Sequence, residues 1–500
     1  MSSGQRSFRI GPPQRNTFIA GLSLAQIICI AVALVGSLGL IRLLPFGVAA
    51  PIAIVLSGVC LALGFLPIGG RRLDEWAPAL IAWFRRTNAG TRRTFISPTP
   101  LVGEVIGKGG RSVPPPVLAG VKIMKVGLEG GRELGIIKDG KEGTYSAVIE
   151  VRSETFALLD AGEQERRLSA WASVLANCAR EGTAIHRLQW IERAIPEDGD
   201  AIEGYLREHI ALPSDHPLVE SYRNLIEQAG PVTQQHQIFI VVQVSTVRSH
   251  RALRQHTKGG ASTDEGACEI LVREIKNLEN VMRQADLRVV GALNSRDVAY
   301  HLRTAFDPAA VRKLAARAQG DEDLKGTAPR NAWPMATEVK WNSYRTDGSH
   351  HATFWVAEWP RIDAPADFLA PLLLQTRCDR VVSVVMEPVS PSKALRDVEQ
   401  AHTTYIADQE IRDRAGYTVT ARRKREYEAL MRKEQELADG HAAYRFSAYV
   451  SVTAENDEQL EWVSTEVEQA AHMSRLDLRR CWGEQDTAFC CTLPLGRGLR

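Results

Sequence analysis

The stretch from Gly135 to Tyr145, GIIKDGKEGTY, holds a glycine, four residues and then Gly140-Lys141. That is the spacing of a phosphate-cradling loop, and the chemistry it would serve is phosphoryl transfer. Such a loop also needs a strand before it, a helix after it, and Ser or Thr behind the lysine to hold magnesium. Here Glu142 stands behind Lys141, a carboxylate that repels phosphate oxygens and that no nearby cation visibly offsets. The residues after it are strand material, with Tyr145, Ala147, Ile149 and Val151 alternating, so the helix N-terminal amides that phosphate requires are missing. Asp139-Gly140 between two apolar runs predicts a β-hairpin instead. Glu387 in VVSVVMEP, the acidic residue after an apolar run, reads as a strand end.

His350-His351 is the second stretch with chemical potential, with Glu358 and Asp363 nearby as further metal ligands. Adjacent residues of a strand point to opposite faces, so the pair does not easily share one ion. Core or surface histidines are the expectation. Neither a GxSxG elbow nor an HExxH helix occurs. Arg422, Arg423, Lys424 and Arg425 sit in a helical stretch rich in glutamate. A solvated helix face is the default there, and a partner contact the alternative. Trp341, Phe354, Trp355 and Trp359 read as hairpin and core packing. The eight cysteines are scattered without a CxxC pair, the pattern of reduced thiols in a cytosolic setting. No catalytic residue, cofactor or metal is expected, and the chain reads as a non-enzyme.

The elements that position these residues begin in a membrane. Phe18 to Leu40 and Gly47 to Leu66 carry no charge, and each is long enough to cross roughly 30 Å of hydrocarbon. Arg42 is the sole charge between them, which predicts a helical hairpin over 18–68 behind a basic tail at 1–17. Arg6, Arg9 and Arg15 precede the first span, and Arg71, Arg72, Arg85, Arg86, Arg92 and Arg93 follow the second. Both ends are therefore expected in the cytoplasm. Neither span holds Asp, Glu, Lys or His, which favours an anchor or lipid-embedded docking surface over a transporter. RRLDEWAPALIAWFRR then predicts an amphipathic helix within 69–95, with Leu73, Trp76, Leu80, Trp83 and Phe84 on one face. Arg71, Arg72, Trp76, Trp83, Arg85 and Arg86 are the residues expected at the membrane interface, with packing on the soluble part as the alternative. SPTP and PPP mark a proline-rich linker over 96–118.

With 500 residues, 44% apolar content and a net charge of +2, the remainder is an ordinary folded chain with no reason to bind nucleic acid directly. Hairpin, helix, strand, helix, strand, helix, strand occurs twice. The first set starts at GIIKDGKEGTYSAVIEV and the second at TEVKWNSYRTDGSHHATFWVAEW, which turns at Asp347-Gly348. This predicts two related α+β sandwich lobes, 119–330 and 331–500, built from ferredoxin-like β-α-β elements. The second carries a long helical pair over 392–438, broken near Gly416.

The N-terminal arginines, the tight span hairpin and GGRRLDEWAPALIAWFRR resemble the PrgI-like inner-membrane subunit of type IV secretion systems. DGKEGTYSAVIEV, EQERRLSAW, HHATFWVAEWP, the long helical pair and QDTAFCCTLPLG resemble the N-terminal, non-motor domain of the VirB-type conjugation ATPase. In that family the motor begins about where this chain stops, after Leu493-Pro494-Leu495-Gly496. The resemblance therefore implies a scaffold beside a separate ATPase, with other membrane subunits as partners and self-association, and it supplies no catalytic residue. The layout of two spans before a cytosolic α/β domain also resembles the EccE-like subunit of type VII secretion.

Overall fold

The computed structural model describes residues 24–43, 45–65, 67–68, 71–95, 113–152, 159–196, 209–210, 212–213, 216–229, 234–250, 253–254, 262–285, 287–314, 326–360, 364–414 and 421–499. The basic tail, most of the linker, Asp363 and Gly416 lie outside the described residues. The chain opens with α1 (Leu24–Leu43), α2 (Phe46–Phe65), the short strands β1 (Pro67–Ile68) and β2 (Arg71–Arg72), α3 (Leu73–Asn88) and β3 (Arg93–Phe95). Next come β4 (Val121–Gly127), β5 (Glu133–Asp139), β6 (Thr144–Arg152), α4 (Ala161–Cys178), β7 (Ile185–Pro196), α5 (Pro217–Ala229) and β8 (Gln234–Ser245). They are followed by α6 (Thr263–Gln284), β9 (Arg288–Ala292) and α7 (Ser295–Phe306). The second half contains β10 (Ala336–Val339), β11 (Tyr344–Thr346), β12 (Ser349–Glu358), α8 (Ala370–Leu374), β13 (Asp379–Val389), α9 (Pro391–Arg414) and α10 (Ala421–Ala438). It closes with β14 (Ala443–Ala454), α11 (Asp457–Met473), β15 (Asp477–Arg480) and α12 (Gln485–Cys490).

Among the described residues, thirteen strands form one sheet in the order β3-β10-β11-β12-β14-β13-β7-β8-β6-β5-β4, with β15 beside β12 and β9 beside β6. The repeat expected from sequence is present as a repeated strand order, β9-β6-β8-β7 in one half and β15-β12-β14-β13 in the other. Separate lobes are not what the chain builds, however. β7 and β13 pair antiparallel from Arg380↔Ala194 to Met386↔Leu188, so hydrogen bonding runs unbroken from one half to the other.

Alternation sorts the strands' side chains onto two faces. Ala147, Ile149, Ile240 and Val242 face α4 and α6 in one core, while Ala352, Phe354, Val450 and Val452 face α8 and α11 in a second. The intervening residues Val148, Ile191, Phe239, Val241 and Val381 point the other way, into a third core shared by both halves and covered by α7 and α12. Helix starts carry the expected caps. Asp160 accepts from the Glu163 amide, Asn294 from the Arg296 and Asp297 amides, and Ser262 forms a reciprocal box with Glu265. Two elements of the sheet face are not visible in the sequence. β3 falls in the stretch expected to be juxtamembrane, yet it pairs with β10, and α7 lies where no element is predicted.

α1 and α2 pack as an antiparallel pair along Ala33, Ala49, Ala53 and Cys60, all buried between them. A side chain at Gly36 would approach Leu56 to 3.0 Å, so this glycine permits the close contact. One helix, over Gln26–Leu43, is long and apolar enough to cross a membrane, and the apolar run Gly47–Ala62 of its partner is shorter.

Candidate functional site

The near-match to a phosphate loop is the β5–β6 hairpin, whose ladder ends at Asp139↔Thr144. Buried Asp139 closes the turn. Its Oδ1 accepts the amides of Lys141 (3.0 Å) and Glu142 (3.3 Å), and its Oδ2 takes the Arg497 guanidinium. Amides that would have to face a phosphate are thus committed to a carboxylate. Glu142, unaccompanied in the local sequence, has Arg187 at 3.6 Å, a cation contributed by β7 that no local pattern could place there. Glu387 lies near the end of β13, within 2.8 Å of Arg445.

The histidine pair points to opposite sides of β12. His350 Nδ1 lies 2.8 Å from Asp457 Oδ1, and the same carboxylate holds Lys340 at 2.6 Å. His351 is wholly buried, with Nε2 2.7 Å from Thr346 Oγ1 and Nδ1 2.9 Å from Thr453 Oγ1. Burial pushes its pKa down to about 3, so it is a neutral core residue. Among the described residues, no group of His, Cys, Asp and Glu stands together as a metal ligand set.

Of the residues expected at the membrane interface, three engage the folded part. The Trp76 ring stacks on Trp341 at 6.1 Å and 13°, and Trp83 meets Trp341 edge-on at 5.2 Å. The Arg92 guanidinium covers Trp83 at 4.2 Å. Arg86 pairs with Asp486 of α12 at 2.6 Å and donates to Thr487 Oγ1 at 3.2 Å. The expected single apolar face is therefore split. Trp76, Ala79, Trp83 and Arg86 turn to the domain, whereas Ile81, Phe84 and Arg85 face outward, exposed. Arg71 and Arg72 form β2, paired with Ile68 and Pro67 just before this helix. Trp341 stands in the β10–β11 turn, over Gly483, where a Cβ would come within 2.6 Å of the indole.

The second feature is the seam between halves. Gln189 of β7 and Gln243 of β8, both fully buried, act as clamps for the final segment 491–498. Gln189 Nε2 donates to the carbonyls of Cys491 and Leu493 (3.0 Å each), and its Oε1 accepts from Gly496 N at 2.8 Å. Gln243 Nε2 donates to Leu495 O at 2.9 Å, and Tyr449 Oη donates to Gly498 O at 2.6 Å. Gly496, with φ +68, has no room for a side chain, since a Cβ would lie 2.5 Å from Gln243. Close by, buried Glu192 contacts His236 (2.6 Å) and Arg380 (3.6 Å), while Arg193 donates to Thr304 through both terminal nitrogens. The cavity beside Arg193 and His301 measures about 20 Å³, space for one water and no substrate. Buried glutamines in apolar strands are the one signal of this seam that the sequence carries, and the motifs above do not include them.

The long helical pair is α9 and α10, packed on each other through Tyr405 and Tyr427, stacked at 4.7 Å. Arg422 and Arg423 lie in the first turn of α10, and Lys424 and Arg425 beside them are exposed. By architecture this is an antiparallel-sheet platform with an apolar helix pair attached at one end. No protein-family model matches the chain, and no curated protein matches it.

Proposed function

We propose that the chain is a membrane-anchored scaffold subunit of a bacterial type IV-like secretion or conjugation machine, which docks a separate ATPase beside the channel. The observation that carries this reading is the direct mounting of one unbroken sheet on an apolar helix pair through α3. Among the described residues, thirteen large apolar side chains stand exposed on α1 and α2, from Ile28 to Leu61, a surface that suits hydrocarbon and not water. In this reading both helices span the inner membrane, α2 with the help of its flanking residues, and both chain ends lie in the cytoplasm. Each half of the sheet is a ferredoxin-like unit, as the antiparallel order β9-β6-β8-β7 and its repeat support. The basic start of α10, Arg422 to Arg425, is a partner contact. A scaffold needs no turnover of its own, and the Asp139-closed turn fits that role.

The test is purification of the tagged full-length protein in mild detergent, with partners identified by mass spectrometry. Recovery of a P-loop ATPase together with small membrane subunits is the expected result. A preparation without partners across several detergents and after crosslinking would sink the scaffold reading.

A further inference from the structure

The two sides of α3 are both apolar, and only one of them is occupied. At 100° per residue, Trp76, Ala79, Trp83 and Arg86 point roughly opposite to Ile81, Phe84, Arg85 and Asn88. The first set is spent on Trp341 and Asp486. The second leaves Ile81 58% and Phe84 61% exposed, beside an exposed arginine. On this face the first turn of the helix holds Asp74, while positions 77, 81, 84, 85 and 88 further along hold no acidic residue. The helix also starts only seven residues after α2 ends, and the β1–β2 ladder folds those residues back so that α3 touches α2.

We propose that the outward face of α3, Ile81 and Phe84 with Arg85, lies in the headgroup layer of the bilayer, while the tryptophans hold the helix to the domain. This rests on the membrane-anchor reading and narrows the face that sequence alone selects for lipid: Phe84 and Arg85 stay on it, while Trp76, Trp83 and Arg86 leave it for the domain. The occupant is a lipid surface because α3 abuts the end of an apolar helix that must itself finish at the headgroups. A helix in that position immerses its apolar stripe at the boundary of headgroup and acyl chain and points its cations at anionic lipid. Trp341 then acts as the joint between membrane and domain. It is pinned to the inner face of a helix whose outer face is pinned to lipid, so the sheet is held at a set angle to the bilayer.

The experiment places an environment-sensitive fluorophore at Phe84→Cys in the full chain, reconstituted in phosphatidylcholine–phosphatidylglycerol vesicles. The unsubstituted chain serves as the blank for the eight native cysteines. Val35→Cys in α1 reports insertion of the anchor, and Lys276→Cys on α6, which covers the opposite face of the sheet, reports the free domain surface. Lipids carrying a nitroxide near the headgroup are expected to quench the label at 84 several-fold more than the label at 276. Lipids with the nitroxide deep in the acyl chain should quench the label at 35 most. A label at 84 that is quenched no more than at 276, while that at 35 is quenched, overturns the proposal and leaves the anchor standing. A label at 35 that escapes quenching refutes the anchor reading itself. Concentration-dependent self-quenching at 84 without lipid quenching assigns the face to a second copy and also overturns the proposal.

Discussion

The residues that carry this structure are polar ones placed where polarity is costly. His351 is enclosed on all sides and kept neutral, with its pKa pushed down to about 3 by burial, and burial also takes His301 to about 3 and His186 to about 4. An unfolded histidine titrates near 6.5, so between that value and the folded one the unfolded chain binds protons that the native chain refuses. Stability is thus fully present above about pH 6.5 and falls as pH drops through the window, by up to about 1.4 kcal/mol per pH unit for each of the enclosed His351 and His301, and by less for His186, which solvent partly screens. Replacing His351 by Gln, which can still bridge the threonines Thr346 and Thr453, should make the fall of melting temperature between pH 6.5 and 4 shallower. Thermal unfolding of the solubilised chain across that range reads the difference, and an unchanged slope would clear His351 of the effect. The histidine pair was legible in the sequence because alternation along a strand decides facing. Arg187 beside Glu142, and Gln189 over the last residues of the chain, were not. Those contacts join positions far apart in sequence, and no local pattern encodes them.

Elements are legible in the sequence wherever one period dominates. The Asp139 and Asp347 hairpins, the strands β7, β8, β13 and β14, and the helical pair all show clean spacing. β3 is hidden because three residues, Arg-Thr-Phe, become a strand only when β10 offers a ladder. α3 is recognisable as amphipathic, but a helix with aromatics on two sides does not declare which side meets protein. That choice is made by Trp341, some 260 residues later by number and in contact in space. Trp341→Ala should therefore release α3 from the domain while leaving the sheet folded. The expected outcome is tryptic cleavage at Arg85 and Arg86 several-fold faster than in the unsubstituted chain, with melting of the main sheet little changed. Cleavage at the original rate would mean that the Arg86–Asp486 pair alone retains the helix.

At the scale of the molecule, the two halves share strand pairing, a core and a closing segment. Phe239 of the first half and Phe489 of the second belong to one apolar cluster, and segment 491–498 of the second is held by Gln189 and Gln243 of the first. Residues 119–330 and 331–500 produced separately should each expose apolar surface, with dye binding and broadened NMR lines, and should recover a cooperative melt when co-expressed. Two independently melting halves would refute the shared core. The sheet also curls back over that shared core. Segment Pro116–Leu118, beside the β4 edge, packs on α12, which touches β11 and β12 as well, so the two outer regions of the sheet meet across one helix. A tilt that enters through α3 and β3 at β10 therefore has two routes to the β4 side, along the strands and straight across α12.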